Sequence, residues 1–304
     1  MNILLTFCIA GLAGAVALSA FAQPAGPNEV IASGARLEKL SGEFQFAEGA
    51  TCDAQGNVFF TDQPNNRIME WSLDGKLSTF LQPAGRANGM YFNSHGDLLA
   101  CADEQTELWL ITPDGKHTVL AKEYRGKPLN GPNDVWERPD GGIYITDPFY
   151  ARKWWNYDQR PQDGQCVYFL SPDHSSLKRV TSDLTQPNGI SGTPDGKTLF
   201  VADIGANKTY AYDIQPNGSL TGKRLVCQKG SDGMTVDTDG NLYLSGHGVF
   251  VYDKNGHLLT HIEVPEAWVG NLSFGGKDHK TLFIAASKGL YSIRLNTRGA
   301  NPSK

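Results

Sequence analysis

The 304-residue sequence has no cluster of lysine or arginine: 27 basic residues lie scattered among 32 acidic ones, for a formal net charge of −5. Without a basic field there is nothing to draw in a phosphate backbone, and nucleic acid is excluded as an expected partner. None of the five cysteines stands in a Cys-x-x-Cys pair, which excludes a cysteine-ligated zinc site. Beyond the first 22 residues no apolar run approaches the ~20 residues that span a bilayer. Helical periodicity is missing too. Instead 34 glycines and 16 prolines punctuate short runs of β-branched and aromatic residues, the pattern of a chain of strands and turns.

Residues 3–22 form an uncharged apolar run ending in Ala20-Phe21-Ala22, the small-x-small pattern that precedes a signal-peptidase cut. The expectation is a signal peptide over 1–22, a single domain over 23–304, and a secreted or periplasmic location without membrane contact after cleavage. A retained anchor is the alternative, because no Lys or Arg precedes the run. Cys52, Cys101, Cys166 and Cys227 remain in the mature chain; spacing chooses neither among their three pairings nor between disulfides and free thiols.

One pattern is written six times: hydrophobic strand, Asp/Asn-Gly turn, hydrophobic strand, short loop, third strand, second turn. Its turn glycines in the first five copies are Gly56, Gly96, Gly141, Gly196 and Gly240; the sixth copy, from Asn271, shifts them to Gly275 and Gly276. Spacings of 40 to 55 residues suit the four-stranded blades of a propeller. The expected fold is therefore all-β, a six-bladed β-propeller. The last copy has three strands only, whereas EVIASGARLEKL precedes the first, so an N-terminal strand is expected to close the last blade and remove the free edges. The final NTRGANPSK reads as a tail.

Eight residues before the turn glycines stand Glu48, Asn88, Asn133, Asn188 and Asp232, with Asn271 in the corresponding place of the sixth copy. Repetition places these six polar groups in a ring at one mouth of the central channel. Asn and Asp also start turns, which accounts for any one of them singly but not for six at one offset. Two carboxylates among amides, with no Lys or Arg in register, call for one divalent cation. An all-oxygen donor set favours Ca²⁺, with Zn²⁺, Mg²⁺ or Mn²⁺ as substitutes.

The stretches AEGATCDAQGNVFFTD, LNGPNDVWERPDGGIYITDP, QPNGISGTPDGKTLFVAD and SDGMTVDTDGNLYLS resemble the senescence-marker-protein/gluconolactonase/luciferin-regenerating-enzyme family over roughly residues 40 to 290. The resemblance implies a metal held by Glu48, Asn133, Asn188 and Asp232, with Asn88 and Asn271 around it, and hydrolysis of a lactone. It also gives Asp232 the part of general base, for which a carboxylate is required; a pure ligand is the plainer reading.

Around that ring, His247 offers a group with a pKa near neutrality, although a solvated loop histidine is the simpler account. Asp62, Asp103, Asp147 and Asp203 close second strands at a common height and read as loop-fixing residues. Blade three carries an insertion, DPFYARKWWNYDQRPQDG, whose Tyr150, Trp154, Trp155 and Tyr157 suit the faces of a sugar ring or simply pack over the propeller. The preceding KEYRGKPLNG brings Arg125, Lys127 and Asn130 towards the same mouth. The expected activity is metal-dependent hydrolysis of a small sugar lactone by a monomer or dimer. An arylesterase or phosphotriesterase, and a binding propeller with a structural calcium, are the alternatives.

Overall fold

The computed structural model describes residues 30–300, so the signal peptide expected over 1–22 lies outside the described residues. Six four-stranded antiparallel sheets follow one another, and no α-helix occurs among the described residues. In the first five blades the strands run in sequence order from the channel outwards. Blade one, for example, comprises Ala47–Cys52, Val58–Asp62, Arg67–Trp71 and Leu77–Leu81. The turns between first and second strands form for a local reason: Asp53 Oδ1 accepts from the backbone N–H of Gly56 and Asn57, and Gly56 takes a φ of 102°. Asn93 and Asp237 cap the corresponding turns of blades two and five.

Blade six is completed as the sequence predicts. Glu38–Ser41 adds its outer strand against Gly289–Arg294, with Glu38 opposite Ser292 and Lys39 opposite Tyr291. The seam continues upstream, where Val30 enters the apolar core of blade six and its carbonyl accepts from Asn296 N at 3.0 Å. The C-terminal segment departs from the expected tail. Thr238 N donates to Arg298 O and Ala300 N to Val236 O, so the chain end crosses to blade five and clasps the ring a second time.

Apolar clusters fill the spaces within and between the sheets: Ile68 of blade one packs with Leu98 and Ile111 of blade two, and Leu99 of blade two with Ile145 of blade three. Near the axis the packing is tighter than any side chain allows. Gly49 has a φ of 56°, and a Cβ there would lie 1.9 Å from the carbonyl oxygen of Asn88 in the next blade. Gly49→Ala is accordingly expected to cost about 2–4 kcal/mol, from overpacking added to backbone strain, and to lower the melting midpoint by roughly 4–12 °C. Gly96→Ala, at a φ of 85° with open space around it, should cost only about 1 kcal/mol. Parallel thermal denaturation of the two variants checks the difference.

Cys101, Cys166 and Cys227 are buried free thiols, so none of the three pairings that the spacing allowed is formed.

Candidate metal centre and active site

The six residues of the predicted ring sit at the inner ends of the six blades. Glu48, Asn88 and Asn188 are each the second residue of an innermost strand and Asn271 the third, while Asn133 and Asp232 stand two residues ahead of theirs. At Glu48, Asn88, Asn188 and Asn271 the pairing with the second strand slips by a bulge. A bulge re-aims side chains away from the sheet face, and here the repetition turns them to the axis. Backbone bonds tie the ring from blade to blade: Gly89 N donates to Asn133 O at 2.7 Å and Gly233 N to Gly270 O at 2.8 Å.

Two carboxylates face one another in this ring. Burial, and then the charge of Asp232, hold Glu48 well above the usual carboxylate range. Asp232 is raised by burial too, against the opposing effect of the hydrogen bonds it accepts from Trp268 and Asn188. Trp268 Nε1 donates to Asp232 Oδ2 at 2.7 Å, and Asn188 Nδ2 to Asp232 Oδ1 at 2.8 Å. Asn188 Nδ2 also lies 2.9 Å from the Tyr150 hydroxyl, whereas Asn188 Oδ1 is buried with no hydrogen-bond partner among the described residues. Glu48 Oε2 accepts from its own neighbour, Gly49 N, at 2.9 Å.

An orphaned amide oxygen beside two close carboxylates fits a hard cation, which would satisfy the oxygen and neutralise both charges. Among the described residues no three His, Cys, Asp or Glu side chains come together as a metal cluster. The residues that would hold the ion are Glu48, Asn188 and Asp232, with Asn133 in the same ring.

A third carboxylate was not singled out by the sequence reading. Asp134 lies in the channel just below the ring, buried, where it accepts from Val135 N and Ile190 N, and burial pushes it up to about 8. The signal was there in the repeat: blades one, two, four and five have glycine immediately after the ring residue, at Gly49, Gly89, Gly189 and Gly233, and blade three alone has an aspartate. A Cβ at Gly89 would fall 2.3 Å from Asp134 Oδ1, so the glycine of one blade makes room for the carboxylate of the next. Trp268, on the loop before blade six, was likewise missed, because no repeat position marks it.

The other predicted site residues divide by position. Asn88 and Asn271 are buried in the ring, Asn271 Oδ1 accepting from Leu272 N. Asn130 spends both amide hydrogens on the Asp147 and Gly164 carbonyls, and its Oδ1 accepts from Gln162 N. Arg125 is exposed at the tip of a short hairpin with its guanidinium over Tyr124. His247 is exposed and packs edge-on against Trp268, one side chain removed from Asp232. Trp154 lies on the blade-three insertion, where its Nε1 donates to Asp103 Oδ2 at 3.0 Å.

Comparison with known proteins agrees with this architecture. The model of the SMP-30/Gluconolactonase/LRE-like region matches residues 46–288. A gluconolactonase of Zymomonas mobilis is 30% identical over 296 residues, covering 86% of this chain and 82% of the relative. The solved structure of a gluconolactonase of Xanthomonas campestris superposes with a TM-score of 0.82 at 30% identity, over 87% of this chain and 91% of that one. Regucalcin of Agrobacterium tumefaciens, at 21% identity and a TM-score of 0.71 over 88% and 96% of the two chains, shares the fold. With six closed blades, an oxygen ring at one mouth, and a matched region that runs from the first blade into the last, the chain belongs to the SMP-30/gluconolactonase/LRE-like family.

Proposed function

We propose that this protein is a calcium-dependent lactonase that opens a sugar lactone to its hydroxy acid, acting in an exported compartment. The observation that carries the reading is the Glu48–Asp232 pair with the unpartnered Asn188 oxygen beside it, in a chain whose relatives are named gluconolactonases and lactonases. When bound, a divalent ion supplies Lewis acidity to an ester carbonyl oxygen.

The chain's own residues supply the rest. Trp268 and Asn188 each donate to one oxygen of Asp232, which fixes the plane of that carboxylate and leaves lone pairs on both oxygens. Asp232 accepts a proton from the attacking water as the new C–O bond forms. The acyl C–O bond of the ring then breaks, and the ring oxygen leaves as an alcohol carrying that proton. The Tyr150 hydroxyl, bonded to Asn188 Nδ2, borders the same space and offers its own proton to a substrate oxygen.

The test is turnover of glucono-δ-lactone, an aryl ester and a phosphotriester by the protein as isolated, after chelation, and after calcium is restored. The expected result is lactone hydrolysis that falls at least about 10²-fold on chelation and returns with calcium. Preference for the aryl ester or the triester would make it a different hydrolase. Calcium binding without turnover of any of the three would make it a binding propeller.

A further inference from the structure

The four aspartates that close second strands do not all do the same work. Asp62 accepts from Gln45 N and Phe46 N, Asp147 from Asn130 N and Gly131 N, and Asp203 from Thr185 N and Gln186 N. In blades one, three and four, then, the carboxylate clamps two successive backbone N–H groups on the approach to its own innermost strand. Blade two breaks the rule. There the approach is held by Asn66, whose Oδ1 accepts from Ala84 N and Arg86 N. Asp103, freed of that task and buried, turns to the insertion of blade three.

Asp103 binds three side chains of that insertion. Its carboxylate pairs with Arg152 Nε at 3.2 Å and accepts from Trp154 Nε1 at 3.0 Å, and its backbone oxygen accepts from Trp155 Nε1 at 3.0 Å. Burial pushes its pKa up to about 6 despite Arg152, so the carboxylate is held in place by these partners rather than by solvent. Arg152 is further flanked by rings, its guanidinium carbon 5.3 Å from the centre of Tyr150 and 5.5 Å from that of Trp154. Tyr150 is the residue bonded to Asn188, and Arg152 is close enough to Asp232 to act on its charge.

The guanidinium is thus held along Nε and packed near two rings, yet neither Nη group has a hydrogen-bond partner among the described residues, and the side chain remains 19% exposed. A planar pair of donors held rigid beside the ring is arranged to receive two oxygens at once. We infer that Arg152, positioned by Asp103 and by the Tyr150 and Trp154 rings, is the specificity residue of this site, its Nη groups binding adjacent hydroxyl oxygens of a polyhydroxylated lactone and the carboxylate of the acid it becomes. This rests on the lactonase reading above and names the substrate class that the site selects.

The experiment compares wild type, Arg152→Ala, Arg152→Lys and Asp103→Asn on glucono-δ-lactone and on δ-valerolactone, which has the same ring without hydroxyls. In Arg152→Ala the ratio of kcat/KM for the two lactones should fall about 10–100-fold, chiefly through KM for the hydroxylated one. Arg152→Lys, keeping charge without the fork, should recover only part of it. Asp103→Asn should reproduce the KM effect more weakly, since Arg152 is then present but less firmly held. Gluconate titrated into the metal-free protein, followed by Trp fluorescence, should bind about 10-fold more weakly to Arg152→Ala than to wild type. An unchanged ratio, with gluconate affinity intact, overturns the role of Arg152 while leaving the lactonase reading in place. Failure of the wild type on both lactones overturns both. Circular dichroism on each variant separates misfolding from lost recognition, and Arg152→Lys carries the test if the alanine variant does not fold.

Discussion

Glu48→Gln is expected to stabilise the metal-free protein while removing about 10³-fold or more from kcat, and Asp232→Ala to cost at least as much activity. The two signs have one cause. Glu48 and Asp232 are buried close together with raised pKa values, so their ionisation opposes folding in the absence of a cation. For a carboxylate whose folded pKa lies above its unfolded value near 4.5, the penalty is absent below that value, grows between it and the folded pKa, and is constant above. The gain from Glu48→Gln should therefore amount to about 1–2 kcal/mol at neutral and alkaline pH, roughly 2–8 °C in melting midpoint, and vanish near pH 4. Saturating calcium should reverse the order. A ligand at 100 times its dissociation constant adds about 2.7 kcal/mol to the wild type, and the variant that lacks one of two ring charges should gain far less. Melting curves in chelator and in calcium, with kcat measured alongside, check all four corners. A Glu48→Gln protein that keeps both its calcium response and its turnover would remove the ring from the chemistry. Asp74→Ala, at an exposed turn of blade one, should change none of these quantities.

The ring was legible in the sequence because a propeller repeats its geometry at a fixed offset: a polar residue eight places before a turn glycine is carried by each blade to the same height on the axis. The sixth copy keeps the same offset without its glycine: Asn271 stands ten residues before the second strand opens at Thr281, as Glu48 does before Val58, and His279, at a φ of 53°, fills the place of Gly56. The residues that complete the site escape this logic. Trp268, Tyr150 and Arg152 lie on connections that occur once, so no internal comparison marks them, and their approach to Asp232 depends on how loops of different blades fold over the mouth. Asp103 looked equivalent to Asp62, Asp147 and Asp203 because strand position was all the sequence offered. What separates it is that Asn66, on the neighbouring blade, takes over the backbone clamp. The clasp of Arg298–Ala300 on blade five was hidden for a related reason, since its bonds are main-chain ones that no side-chain pattern announces.

A chain beginning at Gly42 should show how much of the stability rests on closure. It would lack Glu38–Ser41, leave the backbone groups of Gly289–Arg294 unpaired along one edge, and open the blade-six core where Val30, Leu37 and Leu295 meet. Each propeller sheet is held by its neighbours on both sides, so freeing blade six loosens its contacts with blades one and five as well as its own outer strand. The expected loss is about 5 kcal/mol or more, comparable with the whole stability of many domains, and the bared edge should pair with other copies. Size-exclusion chromatography should then show association, and the melting transition should broaden or disappear. Adding a peptide of residues 30–41 should restore the elution volume of the full chain, because strand addition replaces the missing main-chain bonds in the same register. If the shortened chain elutes and melts where the full one does, the ring is held shut by its C-terminal clasp on blade five, and the outer strand of blade six is dispensable.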